Sequence, residues 1–352
     1  MVIRQTRIGE RHKMSTIRDV AALANVSAAT VSRVLNHDTK YKMTDETIER
    51  VWKAVAELNY KAPSSSGEQM RSSRKVTSAS VAHKFGCIMN VQGGKYNDPY
   101  YLTILSGFEK TIMEKGYDIS FIRTNEELAD PQILYKTFDD PVSGVIIMNT
   151  LTEETFDYIR RQTPYIVGID TAHTSIDNVA YDHYGAAFMA VEHLYNRGYR
   201  EIGFVGGDEA DMKKSRRFNG YYAALHSLDL PFNPDFVLAS GWDEEKCDAK
   251  IRKAYADGKL PRAFFVASDT MAIGALHTFY DLGLSVPDDI AVIGLSNIEI
   301  SKYSNPPLTT IALPIHEMGQ VAAGVLLSRV GGDTLPTRVV TLGATLLQRA
   351  ST

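Results

Sequence analysis

The sequence predicts two joined parts, a small all-α head and a larger α/β core built on parallel sheets. Three observations carry this. Near the N-terminus, apolar residues recur at helical spacing in short segments separated by Asn, Ser and Thr. Beyond residue 84, short and nearly continuous apolar runs alternate with amphipathic stretches, as strands buried on both faces by crossover helices do. Charge divides the chain at the same place: residues 1–80 hold 14 Lys and Arg against 8 Asp and Glu, and the remainder holds 24 against 34. The first part is therefore +6 and the rest −10, giving the net −4 of the 352-residue chain. A basic head on an acidic body suggests a nucleic-acid-facing module, although a solvated basic tail has the same charge signature.

The head can be taken apart residue by residue. In STIRDVAALANVSAATVSRVLN, Thr16 is placed to cap a helix, with Asp19 three residues on in a capping-box arrangement. Ile17, Val20, Ala21 and Ala24 form its apolar stripe. Asn25-Val26-Ser27 breaks it, since Asn tolerates a left-handed backbone and Ser27 can cap the next helix. That second helix, Ala28 to Leu35, turns Val31, Val34 and Leu35 inward. Outward it presents Ala28, Ala29, Thr30, Ser32, Arg33 and Asn36. A third helix begins after Thr44, with Ile48, Val51, Val55 and Leu58 on one face. Any three-helix bundle shares this outline. What favours a helix-turn-helix that reads DNA is the exposed second helix: an Arg can pair with guanine, and alanines can meet thymine methyls.

Composition bounds the rest. The two cysteines, Cys87 and Cys247, sit in apolar or helix-like stretches and are expected to be buried, reduced thiols. No apolar run reaches the ~18 residues of a membrane span, so no membrane association is expected. Arg4, Arg7, Arg11 and Lys13 have no apolar stretch behind them, so a secretory signal is absent and a cytoplasmic location is expected. Residues 1–13 read either as a disordered arm or as a segment ahead of a true start at Met14. Residues 14–62 form the head, 63–83 a linker and 84–352 the core. The linker, APSSSGEQMRSSRKVTSAS, is rich in Ser and poor in helix formers, and so reads as flexible.

In the core, the strand-like runs are FGCIMNV, VSGVIIMN, PYIVGID, EIGFVGG, RAFFVAS and IAVIGLS. Ligands in parallel sheets bind beyond the carboxyl ends of the strands. The residues there include Asp98, Tyr100, Tyr101, Met148, Asp170, Arg217, Trp242, Ser268, Asp269 and Ser296. Rings can stack on the apolar face of a sugar, while Arg and carboxylates bond paired hydroxyls. Singly, each has an ordinary alternative; Asp269 could be an N-cap and Trp242 a packing residue. His183 and His193 lack a partner at metal spacing, and no metal, cofactor or catalytic residue is expected. Gly206-Gly207-Asp208-Glu209 matches a cyclic-dinucleotide synthase signature in the wrong setting. Phosphate-loop, dinucleotide and nucleophile-elbow patterns are missing.

TIRDVAALANVSAATVSRVLN followed by ETIERVWKAVAELNY closely resembles the DNA-binding head of the lactose/galactose repressor family. Within the core, SRRFNGYYAAL, FFVASDTMAIGAL and IGLSNIEISKYSNPPLTTI resemble that family too, so the likeness spans nearly the whole chain. The resemblance implies a periplasmic-binding-protein-like core of two doubly wound parallel-sheet lobes. It implies that Ala28, Ala29 and Arg33 read bases, while Thr16, Ser27, Thr30, Ser32 and Asn36 contact phosphates or brace the helix. Met70 falls where the family places a leucine wedge, in a hinge that here departs from the helical pattern. Arg217 matches the ligand-gripping arginine, Asp170 the crossover aspartate, and Ser268 and Asp269 the cleft-facing pair. Ser296 stands where many members carry an aspartate. NDPYYLTILSGFE is most like repressors of β-galactosidase genes, with Tyr100 or Tyr101 at the ligand.

Together these readings describe a homodimeric repressor of carbohydrate-utilisation genes that binds a palindromic operator. Its effector would be galactose or a β-galactoside, altering lobe orientation and hence operator affinity. No heptad segment follows the last strand, which favours a dimer over a coiled-coil tetramer. The competing readings are a sugar-binding transport component and an α/β enzyme, disfavoured by the basic head and the missing catalytic groups respectively.

Overall fold

The computed structural model describes residues 15–36, 41, 43–58, 60, 84–91 and 97–352. The expected arm, linker and Met70 lie outside them. By contact density the chain divides into two units, residues 1–95 with 117–166, and residues 96–116 with 167–352.

The first unit opens with α1 (Ile17–Leu23), α2 (Ala28–Leu35) and α3 (Asp45–Glu57). Thr16 closes a capping box with Asp19: its backbone N–H donates to Asp19 Oδ2 at 2.7 Å, and its hydroxyl accepts from Asp19 N. Asn25 takes a φ of 54°, the left-handed step that ends α1 and lets Val26 N reach the Ala21 carbonyl at 3.0 Å. Ser27 and Thr44 then cap α2 and α3 through the amides of Thr30 and Thr47. Val20, Val31, Val51 and Val55 are completely buried between the three helices. Trp52, which the helical pattern did not single out, is buried too.

Trp52 faces the α/β part of the same unit: β1 (Lys84–Met89), β2 (Asp118–Thr124), α5 (Asn125–Leu128), α6 (Pro131–Thr137), β3 (Gly144–Met148) and α7 (Glu153–Gln162). β1 lies between β2 and β3, parallel to both, with Cys87 opposite Ile122 and Ile146. Tyr135 of α6 joins the buried apolar cluster of the head, its ring 5.4 Å from that of Trp52. The head is thereby seated on α6 of its own unit.

The second unit contains α4 (Pro99–Glu114), β4 (Ile166–Ile169), β5 (Asp177–Tyr181), α8 (His183–Asn196), β6 (Ile202–Val205), α9 (Arg216–Ser227), β7 (Val237–Leu238), α10 (Glu244–Ala256), β8 (Ala263–Val266), α11 (Asp269–Asp281), β9 (Ala291–Ser296), β10 (Thr309–Ala312), α12 (Ile315–Val330), β11 (Val339–Leu342) and β12 (Thr345–Leu347). β5 pairs in parallel with β4 and β11. The second sheet runs β12-β10-β9-β8-β6-β7, parallel except for β12. The chain leaves β6 for β7 on one side and returns to β8 on the other, so the crevice at the carboxyl ends of β6 and β8 is a switch point where ligands bind in such folds. α4 packs closely on α12: a Cβ on Gly107 would lie 2.0 Å from the His316 carbonyl oxygen. That approach seats the start of α4, and with it Tyr100.

Both cysteines are free and buried, and burial pushes both thiols up, Cys247 to about 12. Neither is suited to serve as a nucleophile.

Candidate ligand site and nucleic-acid interface

On the head, α2 carries Ala29 and Asn36 exposed and Ala28, Thr30, Ser32 and Arg33 half-buried. The hydroxyls of Ser27 and Thr30 lie 2.9 Å apart, and Asn36 Nδ2 donates to the Ser32 carbonyl at 2.8 Å. These polar groups brace the two ends of the helix. Arg33 rests its guanidinium 4.0 Å above the ring of Tyr41, a contact the sequence reading did not include. The result is an exposed helix with small residues at its start and one cation held on an aromatic platform.

In the second unit, a polar cluster is built from the ends of β4, β5, α4 and α9. Asp170, at the end of β4 with φ 52°, takes a hydrogen bond from the Tyr100 hydroxyl on Oδ2 at 2.9 Å. His183 Nε2 lies 2.8 Å from Asp170 Oδ1. The His183 ring stacks on Tyr181 with centroids 3.8 Å apart. Arg217 Nε donates to the Tyr181 hydroxyl at 2.8 Å, and its Nη1 to the Ala267 carbonyl at 3.3 Å, at the β6/β8 switch point. Trp242 places its ring 5.0 Å from the same guanidinium and stays 39% exposed, leaving ring surface for a ligand. Tyr101 meets Tyr100 edge-on at 5.3 Å.

The electrostatics follow from enclosure. Burial pushes the Tyr100 and Tyr181 phenols up, so both stay protonated. Burial likewise raises the Asp98 carboxyl, opposed by the Tyr100 amide it caps and by Arg217. His183 is held below its ordinary value, first by burial and further by Arg217 and Arg216, against the pull of Asp170. Burial disfavours the Arg217 cation too, but Tyr181, Tyr100 and Asp170 outweigh it and leave its pKa raised.

Other expected residues are placed differently. Asp269 is fully buried and accepts from the Thr310 hydroxyl at 2.6 Å and from Ile298 N at 3.0 Å, its carboxyl pushed up to about 6 by burial. It braces the turn after β9. There Ser296 and Asn297 adopt φ of 125° and 57°, the Ser296 hydroxyl turns to the Leu295 carbonyl, and Arg349 grips Asn297 Oδ1 at 2.7 Å. Ser268 caps α11 without a side-chain bond. Met148 is buried at the end of β3 in the first unit. His183 and Tyr181 join the cluster although the sequence pattern does not single them out. Both sit at the end of β5, a strand too short and mixed to be read as one, although the strand-end rule would have flagged them.

Among the described residues, no helix is long and apolar enough to cross a membrane, and no three His, Cys, Asp or Glu side chains are grouped to hold a metal ion.

A helix-turn-helix head and an α/β sheet unit with a polar cluster at its strand ends define a DNA-binding protein with a ligand-binding core. Comparison with known proteins agrees. Residues 16–63 match the bacterial regulatory proteins of the lacI family, and residues 191–352 match the periplasmic binding protein-like domain. The HTH-type transcriptional repressor MelR of Bacillus subtilis is 32% identical over 96% of this chain and 97% of its own length. The repressor PurR of Aliivibrio salmonicida is 31% identical over 96% of this chain and 99% of its own. The transcriptional regulator CelR, solved as a cellobiose complex, superposes with a TM-score of 0.70 at 23% identity over 96% of this chain and 100% of its own. The lac repressor dimer bound to operator superposes at 0.66 with 24% identity, over 96% and 99%. These two share the fold: the head followed by a two-lobed periplasmic-binding-protein-like core. The chain belongs to the lacI family of bacterial regulatory proteins and is a DNA-binding transcriptional repressor whose core responds to a small-molecule effector.

Proposed function

We propose that the chain is a homodimeric, cytoplasmic repressor of carbohydrate-utilisation genes whose effector is galactose or a β-galactoside. The head is residues 14–62, the linker 63–83 and the core 84–352. The arrangement of Arg217, Trp242, Tyr100, Asp170 and His183 carries this reading: a cation, an exposed ring, a phenol hydroxyl, a carboxylate and an imidazole offer the mixed donors and acceptors that suit a polyhydroxylated ligand. Such a ligand biases the orientation of the two lobes and with it the spacing of the paired heads on a palindromic operator. Ala28, Ala29 and Arg33 read bases, while Thr16, Ser27, Thr30, Ser32 and Asn36 meet phosphates or brace α2. Among the other core residues expected at the effector, Asp98, Tyr101 and Ser268 border this cluster in our reading.

Fluorescence anisotropy of the full-length protein on a palindromic fragment from its own upstream region tests this, with and without galactose or lactose. Saturable binding that shifts with one of the two sugars is expected. Absence of binding to any upstream fragment at low salt sinks the operator claim, and binding indifferent to both sugars sinks the effector claim.

A further inference from the structure

The donors and acceptors around Arg217 bear on the charge of the effector. Alone, a buried arginine with an unengaged Nη2 favours an anion, such as a sugar acid or sugar phosphate. Its surroundings oppose that choice. Asp170 accepts one bond on each carboxylate oxygen, from Tyr100 on Oδ2 and from His183 on Oδ1. A carboxylate cannot donate, so the His183 proton sits on Nε2, and in the neutral ring Nδ1 is left as a lone pair. The ring is clamped by its stack on Tyr181 at 3.8 Å, whose hydroxyl is fixed by Arg217 Nε at 2.8 Å. Arg217 and His183 are thus joined through Tyr181, one offering N–H groups and the other a lone pair.

We propose that His183, oriented by Asp170, is a specificity-determining residue that selects a neutral, hydroxyl-bearing effector over an anionic one. This rests on the sugar reading of the site. A hydroxyl accepts from Arg217 and donates to His183 Nδ1, satisfying both. A carboxylate or phosphate edge accepts from Arg217 but offers the histidine no proton, leaving a polar atom unpaired in a desolvated site. The charged and titratable groups facing the ring are Asp170 from β4, Tyr100 from α4, Tyr181 from β5, and Arg216 and Arg217 from α9. Protonating the ring turns Nδ1 into a donor and removes the discrimination.

The test is calorimetric titration of the full-length protein with galactose, lactose and galacturonate from about pH 8 down to about pH 5.5. At the upper end galactose or lactose binds at least about 10-fold more tightly than galacturonate, and the ratio shrinks as the pH falls. Asp170→Asn and His183→Gln, checked by thermal melting, narrow the ratio at the upper end, Gln keeping part of it through its amide oxygen. Galacturonate binding as tightly as the neutral sugars at about pH 8, or a ratio that neither pH nor either substitution moves, overturns the proposal. If no probe binds the unaltered protein, the sugar reading itself fails; galacturonate alone binding well overturns only the assignment to His183.

Discussion

The Nε of Arg217 donates to the Tyr181 hydroxyl at 2.8 Å, and that bond fixes which part of the guanidinium is left for a ligand. With Nη1 also bonded to the Ala267 carbonyl, the Nη2 edge is the one presented. A hydrogen bond to a charged group contributes about 1.5–3 kcal/mol. Arg217→Ala is therefore expected to weaken effector binding by roughly 10- to 150-fold, and Arg217→Lys to recover little, since an ammonium cannot hold the Tyr181 and Ala267 positions of the fork. Calorimetry with galactose reads both.

Arg33 lies 4.0 Å above Tyr41 before DNA is present. Loss of a bidentate arginine–guanine contact costs about 1–3 kcal/mol, so Arg33→Ala should weaken operator binding by roughly 5- to 150-fold. Tyr41→Ala removes only the platform and should cost a few-fold. Anisotropy at one fixed salt concentration separates them.

The Thr16–Asp19 box satisfies amides that α1 would otherwise leave open. Thr16→Ala should lower the local stability of α1 by about 1 kcal/mol. Hydrogen exchange at the Asp19 and Val20 amides would rise by roughly 5-fold, with the second unit unaffected.

Asp269 titrates at about 6 in the folded chain against 3.8 as a free carboxyl. A raised folded pKa means the native state holds its proton more firmly than the unfolded chain. The stabilisation is complete below about pH 4 and is lost as pH rises through about 6, a difference of roughly 3 kcal/mol. Urea unfolding from about pH 4 to pH 7 should show the unaltered protein losing that much stability relative to Asp269→Asn, which carries no charge.

The chain has two tryptophans, Trp52 and Trp242. In a Trp242→Phe background, emission reports the head alone. Tyr135→Ala should shift it to the red as Trp52, buried against Tyr135, gains water. An unchanged spectrum would show that the head does not rest on α6 in solution.

What could be read in advance was what local chemistry dictates. Thr16, Asn25 and Ser27 declare helix ends through their own side chains and backbone, and the structure has them there. Long apolar strands announced themselves, and with them the Asp170 position at the end of β4. Contacts between distant segments were invisible. Nothing local to Asp269 says that Thr310 will take up one of its oxygens, or that Trp52 will meet Tyr135 rather than water. His183 is not legible because β5 is short and mixed, and its partner Asp170 lies 13 residues away across a strand.

The seat of Trp52 on Tyr135 has a topological consequence. It closes the chain from α3 to α6 into a circuit, so the head is held at two points rather than hung from one. The length of the segment between residues 61 and 83 then ceases to decide where the unliganded head sits. Doubling a loop costs only about 0.6 kcal/mol. A protein with residues inserted there should keep its head seated on α6.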